Sequence, residues 1–198
     1  MKFQASRTTY AFIALAVVIL VLVCALVLQR HGNDSPTNDT TSQVSIPPSG
    51  IAYPATWKEA NTISTTDKQA GVISEATLDN PSVKVIVRKA DGELAKDFDI
   101  KALPDLVVTS LTHELDGFKL SDKSIVHMSS YDAVKIDYTL SDTDDPTTKH
   151  TDTMFIIPTQ HSTYYATYSI VGNSLSKLQD EIQTINTSLA SYIQKHAS

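Results

Sequence analysis

One cysteine in 198 residues, Cys24, leaves no thiol pair, which excludes a disulfide framework, a redox CxxC and a Cys-based zinc site. Glycine is scarce at six residues, and nowhere does it form a phosphate-cradling loop or a G-x-S-x-G nucleophile elbow. His113-Glu114 continues as Leu115-Asp116-Gly117, so the zincin pattern HExxH fails, and no S-x-x-K with a later K-T-G element occurs. No cofactor motif is present, and the expectation is of a chain without cofactor and without catalysis. Positive charge is short beyond Arg30: 13 of the 16 basic residues meet all 22 acidic ones there, a net −9. Such a region is a poor ligand for nucleic acid or anionic lipid, whose phosphates reward basic patches.

What the chain does have is one long apolar run. From Tyr10 to Leu28 there is no charge, proline or glycine for 19 residues. As a helix this run spans about 28 Å, close to the hydrocarbon thickness of a bilayer. Lys2 and Arg7 precede it, Arg30 follows, and no further Lys or Arg occurs until Lys58. The positive-inside bias therefore predicts a cytoplasmic segment 1–9, a transmembrane helix 10–28 and the rest of the chain outside the cytoplasm. A cleaved signal peptide competes, but no small-x-small site follows the run. A lipoprotein reading would acylate Cys24, yet Val23 stands where Gly, Ala or Ser is wanted. Residues 29–50 carry Pro36, Pro47 and Pro48 among polar residues and read as a disordered tether of about 25 Å reach. Asn38-Asp39-Thr40 and Asn186-Thr187-Ser188 match the N-glycosylation sequon.

The predicted exported domain runs over 51–198. Ala70 to Leu78 and Ser82 to Ala90 read as strands joined by the turn Asp79-Asn80-Pro81, with Val83, Val85 and Val87 on one face and Lys84, Ile86 and Arg88 on the other. Leu103, Leu106, Val107, Leu111 and Leu115 recur at helical steps, with Pro104 in the first turn and Gly117 placed for a left-handed cap. Lys119 to Ser129, Ala133 to Leu140, Thr153 to Pro158 and Thr163 to Val171 read as four further strands. A last helix carries Leu175, Leu178, Ile182, Ile185, Leu189 and Ile193 on one stripe, with Asn173 or Ser174 as its cap and Asp180 and Glu181 on the wet side. Hairpin, helix, four strands, helix predicts an α+β domain with a mainly antiparallel sheet.

Three groups of residues are candidate sites. Tyr53, Pro54 and Trp57 have the rigid aromatic area of a binding surface, against the alternative that Trp57 packs into the core. Asp142, Asp144 and Asp145 crowd three carboxylates into four residues, the donor type for a hard cation such as Ca²⁺, but without the Gly and distal Glu of an EF-hand loop. A solvated turn is the simpler explanation of them. His150, with Asp152 or with His161 across a hairpin, is a weaker candidate for a metal pair.

Tyr53-Pro54-Ala55-Thr56-Trp57, the hairpin, the helix ending near Gly117, the meander carrying Tyr131-Asp132-Ala133 and Tyr164-Tyr165-Ala166-Thr167-Tyr168, and the final helix with Ile185 and Ser188 resemble the PsbP/Mog1-like family over about residues 51–195. The resemblance implies an antiparallel sheet sandwiched between helices and a non-catalytic accessory or binding role, as PsbP has for photosystem II and Mog1 for the Ran GTPase. The anchor here replaces a cleaved transit peptide in PsbP and nothing in Mog1, so neither partner and no binding residue carries over. The reading is a single-pass envelope protein whose exported, non-catalytic domain binds or supports another envelope component, with the membrane and a protein of unknown identity as its partners. The alternative is an exported small-ligand or metal-ion-binding sensor domain.

Overall fold

The computed structural model describes residues 44–45, 49–95, 98–141, 149–171 and 175–196. The expected transmembrane helix 10–28 lies outside them, and among the described residues no helix is long and apolar enough to cross a membrane.

Seven strands form one antiparallel sheet in the order β2-β4-β5-β9-β8-β7-β6: β2 (Lys58–Glu59), β4 (Val72–Leu78), β5 (Val83–Asp91), β6 (Lys119–Met128), β7 (Tyr131–Ser141), β8 (Lys149–Pro158) and β9 (Ser162–Val171). A separate two-residue pair joins β1 (Val44–Ser45) to β3 (Thr62–Ile63), so the expected tether touches the domain at Val44–Ser45. Three α-helices complete the fold among the described residues: α1 (Thr65–Gln69), α2 (Leu103–Glu114) and α3 (Gln179–His196).

Period-two alternation decides which side chain meets which helix. Val83, Val85 and Val87 of β5, with Ala166, Tyr168 and Ile170 of β9, pack against Ile182, Ile185, Leu189 and Ile193 of α3. On the opposite face Val134, Ile136 and Tyr138 of β7, with Met154 and Ile156 of β8, meet Leu103, Val107 and Leu111 of α2. The helix stripes and the strand pairing of the hairpin and meander are those the sequence predicts. Ser64 caps α1 by accepting from the Asp67 N–H at 3.0 Å.

Several elements depart from expectation. β8 starts at Lys149, four residues before the expected Thr153, because His150, Thr151 and Asp152 pair with Val171, Ile170 and Ser169. β2, β3 and α1 are too short to leave a periodic signal. On the face of β5 opposite Val83, Val85 and Val87, as the alternation predicts, stand Lys84, Ile86 and Arg88, of which Ile86 and Arg88 are buried. Glu181, expected on the wet side of the last helix, instead reaches Trp57. The expected cap Asn173 or Ser174 lies outside the described residues.

Gly117 has the expected positive φ, +71°, but the cap of α2 is Leu115 in extended conformation; Gly117 is the third residue of the next turn, closed by the Phe118 N–H donating to the Leu115 carbonyl at 3.2 Å. Gly71 has φ +78° at the entry to β4, and a Cβ there would sit 2.4 Å from the Lys89 carbonyl oxygen. Its own carbonyl accepts from the Lys89 N–H at 2.8 Å, so the backbone cannot withdraw without losing that bond. Gly71→Ala is expected to cost about 1–3 kcal/mol from strain alone, read as a lower urea midpoint at unchanged slope. An unchanged midpoint would show that this turn relaxes freely.

Candidate functional site

The segment Tyr53 to Trp57 is a clasp between sheet and helix. Trp57 is 5% exposed, lies in the α3-side core, and its indole N–H donates to Glu181. Thr56 Oγ1 points to the same carboxylate at 3.5 Å, and the Ala52 N–H donates to Ser188 Oγ at 2.6 Å. Tyr53 packs at the margin of that core, with its hydroxyl 2.7 Å from Ser74 Oγ. Ser74 Oγ donates to Glu59 Oε1 at 3.1 Å, and Ser49 donates to the same oxygen from its N–H at 3.0 Å and its Oγ at 2.6 Å. Burial pushes the Tyr53 phenol up to about 12, with the Ser74 bond opposing and Glu59 and Glu75 adding to the rise. Trp57 therefore presents no ring face to a ligand in this structure. The two aromatics singled out in the sequence are brought together, and what they bind here is the protein itself.

Asp142, Asp144 and Asp145 lie outside the described residues. His150 and His161 stand at opposite ends of the β8–β9 hairpin, since His150 pairs with Val171 while His161 sits in the turn after Pro158↔Thr163. The hairpin pairing of these two is thereby corrected: antiparallel register puts residues near the open end far from the turn. Among the described residues no group of three or more His, Cys, Asp or Glu is placed to hold a metal. Asn186 of the second sequon is 4% exposed and accepts from the Tyr168 hydroxyl at 2.8 Å, so its carboxamide is spent inside the core.

Buried polar groups that the sequence pattern does not flag stand on the α2 face. Asp152 is 1% exposed, and neither carboxylate oxygen has a partner of normal hydrogen-bond geometry. Burial raises its carboxyl to about 6, while Ser169, His150 and Tyr138 nearby pull it down in part. Arg88 and Thr167 on the same face also keep unpartnered atoms, Nε and Oγ1. The available signal is Arg88 two residues past Ile86 on a face with an apolar member, and Asp152 two residues before Met154-Phe155-Ile156-Ile157.

The sheet's two edges differ. β2 offers two residues, whereas β6 offers ten, mostly exposed, with Leu120 and Ile125 among the large apolar side chains in water. Only Lys123, paired with Asp105 of α2, ties this edge to a helix through an ion pair among the described residues. An edge of this length presents a row of main-chain donors and acceptors to any extended chain.

No family model and no curated protein matches the chain. Solved structures similar to it include the cyanobacterial PsbP of Synechocystis sp. PCC 6803, at 13% identity and TM-score 0.46 over 79% of this chain and 96% of that one. LpqN, described as involved in cell envelope biogenesis of Mycobacterium tuberculosis, is 14% identical with TM-score 0.43 over 79% and 89%. The Ran-binding protein Mog1p of Saccharomyces cerevisiae is 12% identical with TM-score 0.34 over 75% and 83%. With a clasped N-terminal segment, a hairpin, a helix, a meander and a closing helix around one antiparallel sheet, the described domain has an α+β fold.

Proposed function

We propose that this is a single-pass membrane protein whose α+β domain stands outside the cytoplasm and binds or supports another protein of the envelope, without catalysis. Its place rests on the uncharged run from Tyr10 to Leu28 and the lack of Lys or Arg between Arg30 and Lys58. The observation that carries the binding role is β6, a ten-residue edge strand with Leu120 and Ile125 exposed. Natural sheets protect such edges unless something pairs with them. The net −9 of the region beyond Arg30 favours a protein over nucleic acid as partner.

The test is site-specific photocrosslinking of the full chain in its native membrane, with the crosslinker at Ile125 and, as control, at Gln183 on the exposed side of α3. A discrete adduct from 125 and none from 183 is expected, together with cleavage of the domain by protease added outside intact cells. Absence of any adduct at 125, or protection of the domain from external protease, sinks the respective half of the reading.

A further inference from the structure

β6 and β2 are the two edges of the sheet, six strand steps or about 29 Å apart. Val44–Ser45 pairs with β3, which follows β2 in the chain and lies against β4. The segment leading from the predicted anchor thus joins the domain at the end of the sheet away from β6. Directly opposed residues share a face of the sheet. Leu120, Lys123 and Ile125, opposite Tyr138, Ile136 and Val134 of β7, therefore stand on the α2 face. Asp122 and Ser124, opposite Asp137 and Lys135, stand on the α3 face.

Strict alternation would put Leu120 and Ile125 on opposite faces. The register shift between Leu120 and Asp122 takes Ser121 out of the count. Leu120 and Ile125, 40% and 41% exposed, then flank Lys123 at equal distances along the ladder, as the even spacing of Tyr138, Ile136 and Val134 requires. An antiparallel pair of identical strands has its two-fold axis midway between two directly opposed residues. With Lys123 at that axis, β6 meets a second β6 with Leu120 against Ile125, Asp122 against Ser124 and Lys119 against Val126, each pair occurring twice. Both exposed apolar side chains of β6 are covered in this register, and the Ser124 hydroxyl can donate to the Asp122 carboxylate. An axis at Ser124 would instead set Leu120 against His127 and Ile125 against Lys123, and an axis at Ile125 would leave Leu120 beyond the paired stretch. Like charges directly opposite each other are unfavourable, but Lys123 is held by Asp105 of its own α2. Although the region beyond Arg30 is acidic, the charges of this seam, Lys119 and Lys123 with Asp122 and Asp105, cancel.

We infer that the protein paired with β6 is a second copy of this chain, joined edge to edge in an antiparallel register centred on Lys123, so that the sheet continues from one copy into the other. The inference rests on the reading of β6 as an edge open to a partner, and it names that partner. The apolar pairs supply burial, the main chains supply the ladder, and the bulge at Ser121 makes the strand complementary to itself.

Cysteine pairs in the full chain, in its native membrane and on a Cys24→Ser background, test it. Leu120→Cys combined with Ile125→Cys is expected to give a disulfide-linked dimer under mild oxidation, because directly opposed residues have Cα atoms about 4.5–5.5 Å apart, within disulfide reach. Either cysteine alone is expected to link at least about tenfold less, since it lies about 13 Å along the ladder from its counterpart in the other copy. Ile125→Asp sets a carboxylate against Leu120 and is expected to weaken the dimer at least about tenfold by sedimentation of the solubilised chain. Asp105→Asn leaves two lysines opposed and is expected to weaken it several-fold at low salt. Both positions are exposed, so circular dichroism melts of these variants are expected to match the wild type. No linked dimer from the Leu120→Cys, Ile125→Cys chain, or equal linking by the single variants, overturns the second copy as partner. Stronger linking by Leu120→Cys with His127→Cys overturns the register. If photocrosslinking at Ile125 then yields an adduct with a protein of different mass, the edge reading stands and the second copy falls; if it yields none, both fall.

Discussion

Trp57→Ala is expected to destabilise the domain by about 3–5 kcal/mol, the usual cost of emptying a core position of this size. The indole fills the α3-side core beside Ile51, and its N–H is bonded to Glu181. Alanine would leave both a cavity and a carboxylate without its donor. Trp57→Phe keeps most of the volume and loses the donor, so about 1–2 kcal/mol is expected from it. Urea unfolding followed by circular dichroism separates the two. A Trp57→Ala loss below about 1 kcal/mol would mean the clasp collapses without penalty, and would return Trp57 to the residues kept for a ligand.

The second large effect has the opposite sign. Asp152→Asn is expected to stabilise the domain near pH 7.5 by about 3 kcal/mol, on the order of 10 °C in melting temperature for a domain of this size. Burial raises the Asp152 carboxyl to about 6 in the folded state, whereas an unfolded Asp titrates near 3.9. The native state thus binds more protons than the unfolded one between these values, and stability falls as pH rises through that window. Below about pH 4 the carboxyl is protonated in both states, and the difference between the wild type and the Asp152→Asn variant closes. A melting series from pH 4 to 8 reads this directly. Parallel curves for wild type and variant would mean the carboxylate finds partners in solution, with Ser169, Tyr138 and His150 the nearest to supply them.

The buried Asp152 and Arg88 show where pattern reading stops. Alternation along β5 assigns Arg88 correctly to the face opposite Val83, Val85 and Val87. It says nothing about whether that face meets water. In the fold Ile86 on that face packs with Ile63 and Val72, and Arg88 beside it is buried too. Likewise three carboxylates crowded into the acidic loop are conspicuous, while the single Asp152 hides in front of an apolar run. Tyr53 and Trp57 are legible as a short aromatic motif, but whether such a motif faces a ligand or a core depends on where α3 lies. Glu181, 124 residues along the chain from Trp57, settles that by accepting the indole N–H.

By itself the sequence determined the local quantities: the periods of two and 3.6 that set the strands and both long helices, the positive-φ glycine at Gly117, the apolar run and the charge balance. These follow from steric and solvation preferences that act within a few residues, so they survive without knowledge of the fold. The tertiary structure alone decided the strand order, which face of the sheet each helix covers, the early start of β8, the exposed edge at β6 and the unmet groups of Arg88, Thr167 and Asp152. All of these depend on contacts between residues far apart in the chain, where burial is a property of the neighbours and not of the residue. A charge becomes costly, and a tyrosine or tryptophan becomes structural, only once a distant segment has taken the water away from it.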